Sequence, residues 1–324
     1  MCLRMLITLQ ILLFFCPTSP ALALEKLVLG HSPSVSEALN VIAKNHGFFA
    51  REGLDVELRD MGSGNLAVDA MLNDKIDVAE STTFALVDNA FRRKDFQIYA
   101  TMTVSGNYNV IVARGDRGLK TVRDLKGKKV GVLKNGYPSY VLDLMLFKAG
   151  LSPKDVKIVQ DEIRNLPQRI ASGELDAVCV FGNWIDKTQK LLGGSAVIFH
   201  DPDLLKMTIV QAAKKDKLAK RPDLFVRLLK AYIRAEEYVK KNPDAALKEV
   251  VKELGLDMTR TIKVWKPNLF HVGLDQSMIK DMENMAHWQL ESGMHAATRI
   301  PDYIDFINFR IIETIDPKRI RIVH

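Results

Sequence analysis

The stretch that most constrains the fold is residues 122–151, because it contains a complete strand–loop–helix unit. An apolar run at residues 130–133 is typical of a buried strand, and Asn135-Gly136 then interrupts it. Pro138 stands where a helix would begin. A helix that starts just after a glycine-containing loop presents unpaired backbone N–H groups. The unit is therefore either an ordinary β–α connection or a loop that binds a polar ligand.

A similar unit occurs earlier in the chain. Leu54 opens an apolar stretch after a glycine, as Leu151 does, and Asp77 precedes an apolar run, as Asp176 does. Nearly the same distance along the chain separates the members of each pair. Short apolar strands alternating with helical patterns predict sheets covered by helices on both faces. Two such halves in the same order predict two lobes of like fold.

Polar loops follow the predicted strands. In α/β sheets, ligands bind at the carboxyl ends of the strands. Ser, Thr and Gly there offer hydroxyl groups and close backbone approach, although each one alone is more often a helix cap or a turn former. Together the loops predict a ligand site formed by Ser32, Ser34, Gly62, Ser63, Gly64, Ser81, Thr82, Thr83, Asn135, Tyr137, Ser139 and Tyr140.

Aromatic side chains flank the same predicted cleft. Tyr108 lies beside a predicted crossing strand, and Asn183 and Trp184 follow the apolar run at residues 177–181. Aromatic walls suit a ring or an alkyl body. Two interpretations of Trp184 stay open: contact with the ligand, or packing of a lid residue on the following helix.

The loop before the second-lobe helix gives the most specific hypothesis. Ser139, with the backbone N–H groups of Tyr137, Ser139 and Tyr140, is predicted to hold the ligand head. The alternative is that Ser139 only caps the helix.

The charge of the ligand head stays open. Lys134, Arg114 and Arg164 near the predicted cleft favour an anion such as a sulfonate or carboxylate. Glu80 favours an amine or a ring nitrogen.

Composition excludes several classes of protein. The chain of 324 residues is 47% apolar and 26% charged, as expected for a globular protein large enough for two domains. Its acidic and basic residues are interspersed, so no basic arm indicates a nucleic-acid partner. No nucleophile elbow, metal-ligating motif or dinucleotide fingerprint occurs, and Cys179 lies within an apolar run. We therefore expect no enzymatic activity, cofactor or metal site.

The N-terminus has the pattern of an export signal. Arg4 precedes an apolar run at residues 5–16, and Ala21-Leu22-Ala23 is a small-x-small cleavage site. We expect cleavage after Ala23 and a periplasmic protein; lipid attachment at Cys16 is the less favoured alternative, since Phe precedes it.

Several segments together resemble one family. Residues 46–56, 77–79, 124–132 and 173–177 match, in order, the signatures of periplasmic substrate-binding proteins of ABC importers of the nitrate, sulfonate, taurine and thiamine-precursor type. The resemblance runs from about residue 27 to residue 199. It implies an α/β fold of the two-lobe periplasmic-binding-protein type (type II), in which each lobe is a mainly parallel sheet flanked by helices and two hinge crossings join the lobes.

The resemblance also implies a domain division and a function. Lobe 1 is expected to comprise residues 24–110 and 205–324, and lobe 2 residues 111–204. The expected function is capture of a small, anionic or heteroaromatic organic solute between the lobes of a monomer, followed by delivery to an ABC permease with its ATPase. The alternatives are an enzyme on the same fold, of the thiamine-pyrimidine or menaquinone-pathway type, and a sensor input protein. Turnover of a bound solute distinguishes the enzyme, and a neighbouring transporter gene distinguishes transport from sensing.

Overall fold

The computed structural model describes residues 23–106, 109–134, 136–201 and 204–323. The predicted export signal lies outside these residues, apart from Ala23. The strands are β1 (Glu25–His31), β2 (Leu54–Asp60), β3 (Val78–Thr82), β4 (Phe96–Ser105), β5 (Asn109–Arg114), β6 (Lys129–Leu133), β7 (Lys157–Asp161), β8 (Ala177–Phe181), β9 (Ala196–Phe199), β10 (Met207–Lys214), β11 (Leu269–Asp275) and β12 (Ile320–Arg321).

Helices alternate with most of these strands. They are α1 (Ala38–Asn45), α2 (Phe48–Arg51), α3 (Gly64–Leu72), α4 (Thr83–Ala90), α5 (Tyr137–Lys148), α6 (Leu166–Ala171), α7 (Asn183–Leu192), α8 (Lys215–Lys220), α9 (Pro222–Lys241), α10 (Pro243–Leu254), α11 (Met258–Trp265), α12 (Gln276–Glu291) and α13 (Phe309–Ile315). Within the described residues, no helix is long and apolar enough to cross a membrane.

The strands form two sheets. A seven-stranded sheet has the order β12-β11-β4-β10-β3-β1-β2, and a five-stranded sheet has the order β7-β6-β8-β5-β9. We call the first sheet with its helices lobe 1 and the second with its helices lobe 2. The chain passes from lobe 1 to lobe 2 between β4 and β5, and returns between β9 and β10.

The prediction of a two-lobe α/β fold is confirmed, but the expectation of mainly parallel sheets is wrong. β1 pairs in parallel with β2 and β3, whereas β10 runs antiparallel to both β3 and β4. In lobe 2, β6 pairs in parallel with β7 and β8, whereas β5 runs antiparallel to β8 and β9. The physical reason is that the chain arrives in each sheet from the other lobe, so the crossing strand enters without a β–α connection.

Helix α9 explains how lobe 1 forms its core. Its apolar residues recur at helical spacing, and Leu224, Leu228 and Tyr232 on one face are fully or almost fully buried. In lobe 2, β8 is buried along its whole length, and Cys179 lies in its centre as predicted. Burial raises the pKa of the Cys179 thiol, so it stays a protonated apolar residue.

Candidate ligand-binding cleft

Loops from both lobes meet at one cleft, which we call the inner cleft. Lobe 1 contributes the loop after β1, the start of α3, the end of β3 and one residue of β10. Lobe 2 contributes the segments after β6 and β8. The lining residues are Ser32, Glu37, Ser63, Gly64, Asn65, Ser81, Thr82, Leu133, Tyr137, Pro138, Phe181 and Ile209. The enclosed volume is about 20 Å³, roughly enough for one water molecule.

Ser81 supplies an unpartnered hydroxyl group to this cleft. The residue is 2% exposed, and its Oγ atom has no hydrogen-bond partner. A Cβ atom at Gly64 would collide with that hydroxyl, so only glycine allows the start of α3 to lie this close to the end of β3. A buried hydroxyl without a partner is costly, which is expected at a ligand site and unexpected in a core.

Other lobe 1 hydroxyl groups have local roles. Ser63 caps α3, because its Oγ accepts from the Leu66 N–H group at 3.3 Å. The Ser32 hydroxyl donates to the Gly62 carbonyl oxygen at 3.3 Å. These two contacts fit the alternative role of each serine as a helix cap or a turn former, although both side chains also line the cleft.

Glu37 is the one carboxylate among the described residues that line the inner cleft. Its Oε2 atom lies 2.8 Å from Nδ1 of His31. Burial raises the pKa of Glu37, and the imidazole opposes this shift. Burial lowers the pKa of His31, but the hydrogen bond and charge of Glu37 overcome that effect and raise it overall. The two groups therefore hold one proton between them beside the cleft.

A buried polar network supports the lobe 1 wall. Glu80 is 1% exposed and accepts from Asn40 Nδ2 at 2.9 Å and from Gln211 Nε2 at 2.7 Å. Tyr99 donates to Gln211 Oε1, and Tyr232 donates to Asn40 Oδ1. Burial, with the nearby charge of Glu37, raises the pKa of Glu80 to about 8. Because both carboxyl oxygens are engaged inside lobe 1, Glu80 supports the site without lining it.

An aromatic cluster joins the lobes on the α5–α12 side. The rings of Tyr137 and Tyr140 in lobe 2 lie 6.0 Å from Phe84 and 5.4 Å from Trp288, respectively, both of lobe 1. Trp288 Nε1 also donates to Asp143 Oδ2 of lobe 2 at 3.0 Å. We call Phe84, Tyr137, Tyr140, Trp288 and Asp143 the interlobe cluster. These contacts hold the lobes together where α5 faces α12.

The predicted role of Ser139 is not supported by its geometry. Its N–H group donates to the Gly136 carbonyl oxygen at 2.9 Å, and its hydroxyl donates to the Leu133 carbonyl oxygen at 3.2 Å. The loop therefore curls on itself, and the expectation that the Ser139 N–H group is unpaired is wrong. Tyr137 lies in the inner cleft, whereas Tyr140 packs in the interlobe cluster.

Other candidates also lie away from the inner cleft. Thr83 is fully buried and its hydroxyl lies 3.6 Å from Met285 Sδ, so it faces the lobe 1 core. Trp184 packs against the lobe 2 core under Lys187, which favours the lid-packing interpretation. Ser34 and Asn183 line a different cavity. Tyr108 and Asn135 lie outside the described residues.

The expected basic residues do not surround the inner cleft. Arg114 is at the far end of β5, where it pairs with Asp116 and the Ile170 carbonyl oxygen. This placement follows from the antiparallel pairing of β5 with β8, which sequence patterns did not reveal. Arg164 lies 3.9 Å from Glu162 on the surface. Neither these arginines nor Lys134 is among the described residues that line the cleft.

Sequence reasoning did not select six of the lining residues: Glu37, Asn65, Leu133, Pro138, Phe181 and Ile209. Glu37 lies in a turn directly after the predicted loop, so extending the loop by one turn would have found it. Phe181 ends β8, and the same strand-end rule applies to it. Ile209 lies on β10, whose position beside β3 no local signal indicates. In the described part of the chain, no group of His, Cys, Asp and Glu could hold a metal ion.

The two lobes, their two crossings and the cleft between them define a periplasmic-binding-protein fold. Residues 37–246 match the family described as "NMT1/THI5 like", and the chain belongs to that family. A relative from Haemophilus influenzae, named "Putative thiamine biosynthesis protein", is 27% identical over 271 residues, which are 82% of this chain and 81% of the relative.

Solved structures share the fold at low sequence identity. The periplasmic aliphatic sulphonate binding protein SsuA from Escherichia coli has a TM-score of 0.70 and 18% identity, covering 87% of this chain and 97% of that chain. The desulfurization enzyme DSZB has a TM-score of 0.68 and 14% identity, covering 90% of this chain and 98% of that chain. The fold therefore occurs in both binding proteins and enzymes.

Proposed function

We propose that the protein is the exported solute-binding component of an ABC importer. In this function it captures a small organic solute between its lobes and presents it to a permease with its ATPase. The observation that carries the proposal is the convergence of loops from both sheets on the inner cleft, with the unpartnered Ser81 hydroxyl inside it. Membership in a family with binding-protein relatives supports it.

The units that close on the solute are proposed to be lobe 1 and lobe 2, with the expected division after residue 110 moved to the start of β5, because Asn109 and Val110 pair with β8 of the lobe 2 sheet. Two connections between separate sheets are the arrangement that permits hinge closure. The small volume of the inner cleft and the interlobe cluster support a closed arrangement, in which a ligand enters only after the lobes separate.

The proposed ligand contacts in the inner cleft are the side chains of Ser32, Ser81, Thr82 and Tyr137 and the backbone around Gly64. The described lining contains a carboxylate and no Lys or Arg. Because no Lys or Arg is present in the described lining to pair with a simple anion, this lining favours a heteroaromatic or amine-bearing solute.

An enzyme on the same fold is the second candidate, since DSZB shares the architecture. Against it, the described cysteine, Cys179, is buried and its pKa is raised, so it offers no thiolate. Incubating the protein with its bound solute and following the solute by mass spectrometry tests this candidate. Conversion of the solute would favour the enzyme, and unchanged solute supports a binding protein.

The function is tested by identifying what the mature protein carries from its native host. Mass spectrometry after mild denaturation identifies the co-purified molecule, and calorimetric titration of stripped protein measures its affinity. We expect one small solute that binds at one site per chain and reduces the radius of gyration. Absence of any such solute, together with a full-length N-terminus instead of cleavage after Ala23, would exclude an exported receptor.

A further inference from the structure

A second cavity between the lobes lies beside the inner cleft. Its volume is about 330 Å³, which is within the range of ~300–1,000 Å³ typical of small-molecule sites. We call it the side chamber. Lobe 1 contributes the loop after β1 and the helix α11, and lobe 2 contributes the start of α7 and the edge formed by β5 and β9.

A contact between the lobes separates the two spaces. Ser32 and Glu37 face the inner cleft, whereas Ser34 between them lines the side chamber. A Cβ atom on Gly182 would lie 3.8 Å from Ser34 Cβ, so these residues meet across the lobes. Gly182 has φ 53° and ψ −136°, a conformation that favours glycine. The loop after β1 therefore forms one wall of each space.

Polar groups lie at the end of the side chamber where Ser34 meets Gly182. Ser34 is 7% exposed, its Oγ atom has no hydrogen-bond partner, and it lines the chamber. Asn183 begins the ten-residue helix α7 at the same end, where the first turn presents N–H groups. A hydrogen-bond acceptor atom of a ligand placed here would accept from both the Ser34 hydroxyl and the N–H groups at the start of α7.

Much of the remaining lining is apolar, and Asp186 is the one carboxylate among the described lining residues. Val110, Ile185, Ile198 and Val264 form the walls of the chamber. No Lys or Arg is among the described lining residues, and burial lowers the pKa of the lining residue His200, which keeps its imidazole neutral near pH 7. An anionic ligand would lose its hydration without gaining an ion pair, and it would also meet the carboxylate of Asp186.

We propose that the side chamber is a second ligand site, which takes a molecule without negative charge that has an apolar ring or short alkyl body and one acceptor group directed at Ser34 and the start of α7. The inference rests on the proposed closure of the two lobes, because the walls come from both. A ligand there would contact both lobes and therefore favour the closed state.

Two probes of the same shape and different charge test the inference: benzamide and benzoate. Calorimetry and saturation-transfer NMR on the mature protein should show benzamide binding at least tenfold more tightly than benzoate. Benzoate binding as well as benzamide, or no detectable benzamide binding at millimolar concentration, would overturn the inference.

Substitutions locate the probe. Val264→Phe fills the chamber and should weaken benzamide binding at least tenfold. Ile262→Phe is the control, because Ile262 is on the same helix but 39% exposed and outside the chamber lining. Ser34→Ala removes the hydroxyl with little risk to folding and should weaken benzamide binding three- to tenfold. Equal benzamide affinity in wild type, Val264→Phe and Ser34→Ala would overturn the inference.

The native solute separates this inference from the proposed function. Val264→Phe should leave the affinity for the co-purified solute within threefold of wild type if that solute occupies the inner cleft. Loss of benzamide binding in Val264→Phe without any native solute would support the side chamber and reject the receptor function. Binding of the native solute without a benzamide site would support the receptor function and reject the side chamber as a ligand site.

Discussion

The two walls of the inner cleft differ in polarity. The lobe 1 wall presents Ser32, Ser81 and Thr82 and rests on hydrogen bonds buried inside the lobe. The lobe 2 wall is mainly apolar and includes Leu133, Phe181 and residues at the start of α5. Under the proposed function, lobe 1 would hold the polar head of a solute in a fixed geometry and lobe 2 would cover it. Rigid support for the first wall is needed before closure, because a loosely held polar group loses affinity.

The largest expected effect comes from breaking the support of the lobe 1 wall. Asn40→Leu removes the donor to Glu80 Oε1 and the acceptor of the Tyr232 hydroxyl in a buried space. We expect a loss of roughly 4 kcal/mol in the free energy of unfolding, measured by urea titration. Thr188→Val is the matched change in lobe 2, because it removes one buried hydroxyl bond to the Trp184 carbonyl oxygen. It should cost about 1 kcal/mol. Equal losses would show that the two lobes are supported alike.

The next effect is a pH dependence that originates in lobe 1. The pKa of Glu80 is about 8 in the folded protein and lower in the unfolded chain, so the folded state binds the proton more tightly. This contribution is complete below about pH 4.5 and is lost as the pH rises through about 8. The raised pKa of His31 acts in the same direction. Wild-type stability should therefore fall by roughly 3 kcal/mol between pH 5 and pH 8.

Glu80→Gln should flatten that dependence. The slope of unfolding free energy against pH is the readout, because the substitution also changes hydrogen bonds and so lowers stability at every pH. His31 and Glu37 remain and keep part of the slope. A variant with the full wild-type slope would show that Glu80 does not carry the proton.

The same substitution in each lobe gives a sharper comparison. Ser81→Ala removes a hydroxyl without a partner, so we expect binding of the native solute to weaken by about 1 kcal/mol or more while the apo melting temperature stays the same. Ser139→Ala removes a hydroxyl that donates to Leu133, so it should lower stability by about 1 kcal/mol and leave affinity unchanged. Calorimetry measures the affinity of both variants, and melts of the apo protein measure their stability. If Ser139→Ala weakens binding and Ser81→Ala only lowers stability, the ligand head lies in lobe 2.

The smallest effect concerns the contact between the lobes. Trp288→Phe keeps an aromatic ring in the interlobe cluster but removes the donor to Asp143. We expect the closed state to lose up to about 1 kcal/mol, seen as a larger radius of gyration of the apo protein in solution scattering. Tyr238→Phe is the control, because it removes a bond to Glu249 within lobe 1. A scattering curve identical to wild type for Trp288→Phe would show that the bond does not hold the lobes.

Much of the site was predictable because strand ends are local features. The loops after β1, β2 and β3 and the segment after β6 were selected from sequence, and Ser32, Ser63, Gly64, Ser81, Thr82 and Tyr137 do come together. It was less predictable which side chains in these loops face the cleft and which face the core. Thr83, one residue after Thr82, faces the core, because the first turn of α4 rotates it away from the cleft.

The sequence alone determined the alternation of strands and helices, the loops at the strand ends and the burial of β8. Each depends on residues a few positions apart, whose periodicity follows from the geometry of helices and strands. Only the tertiary structure decided which hydroxyl groups are left without a partner and which carboxylates support the site. Glu80 binds Asn40, 40 positions away, and Gln211, 131 positions away. Such pairings depend on how antiparallel β10 enters the lobe 1 sheet, and no local pattern specifies that register.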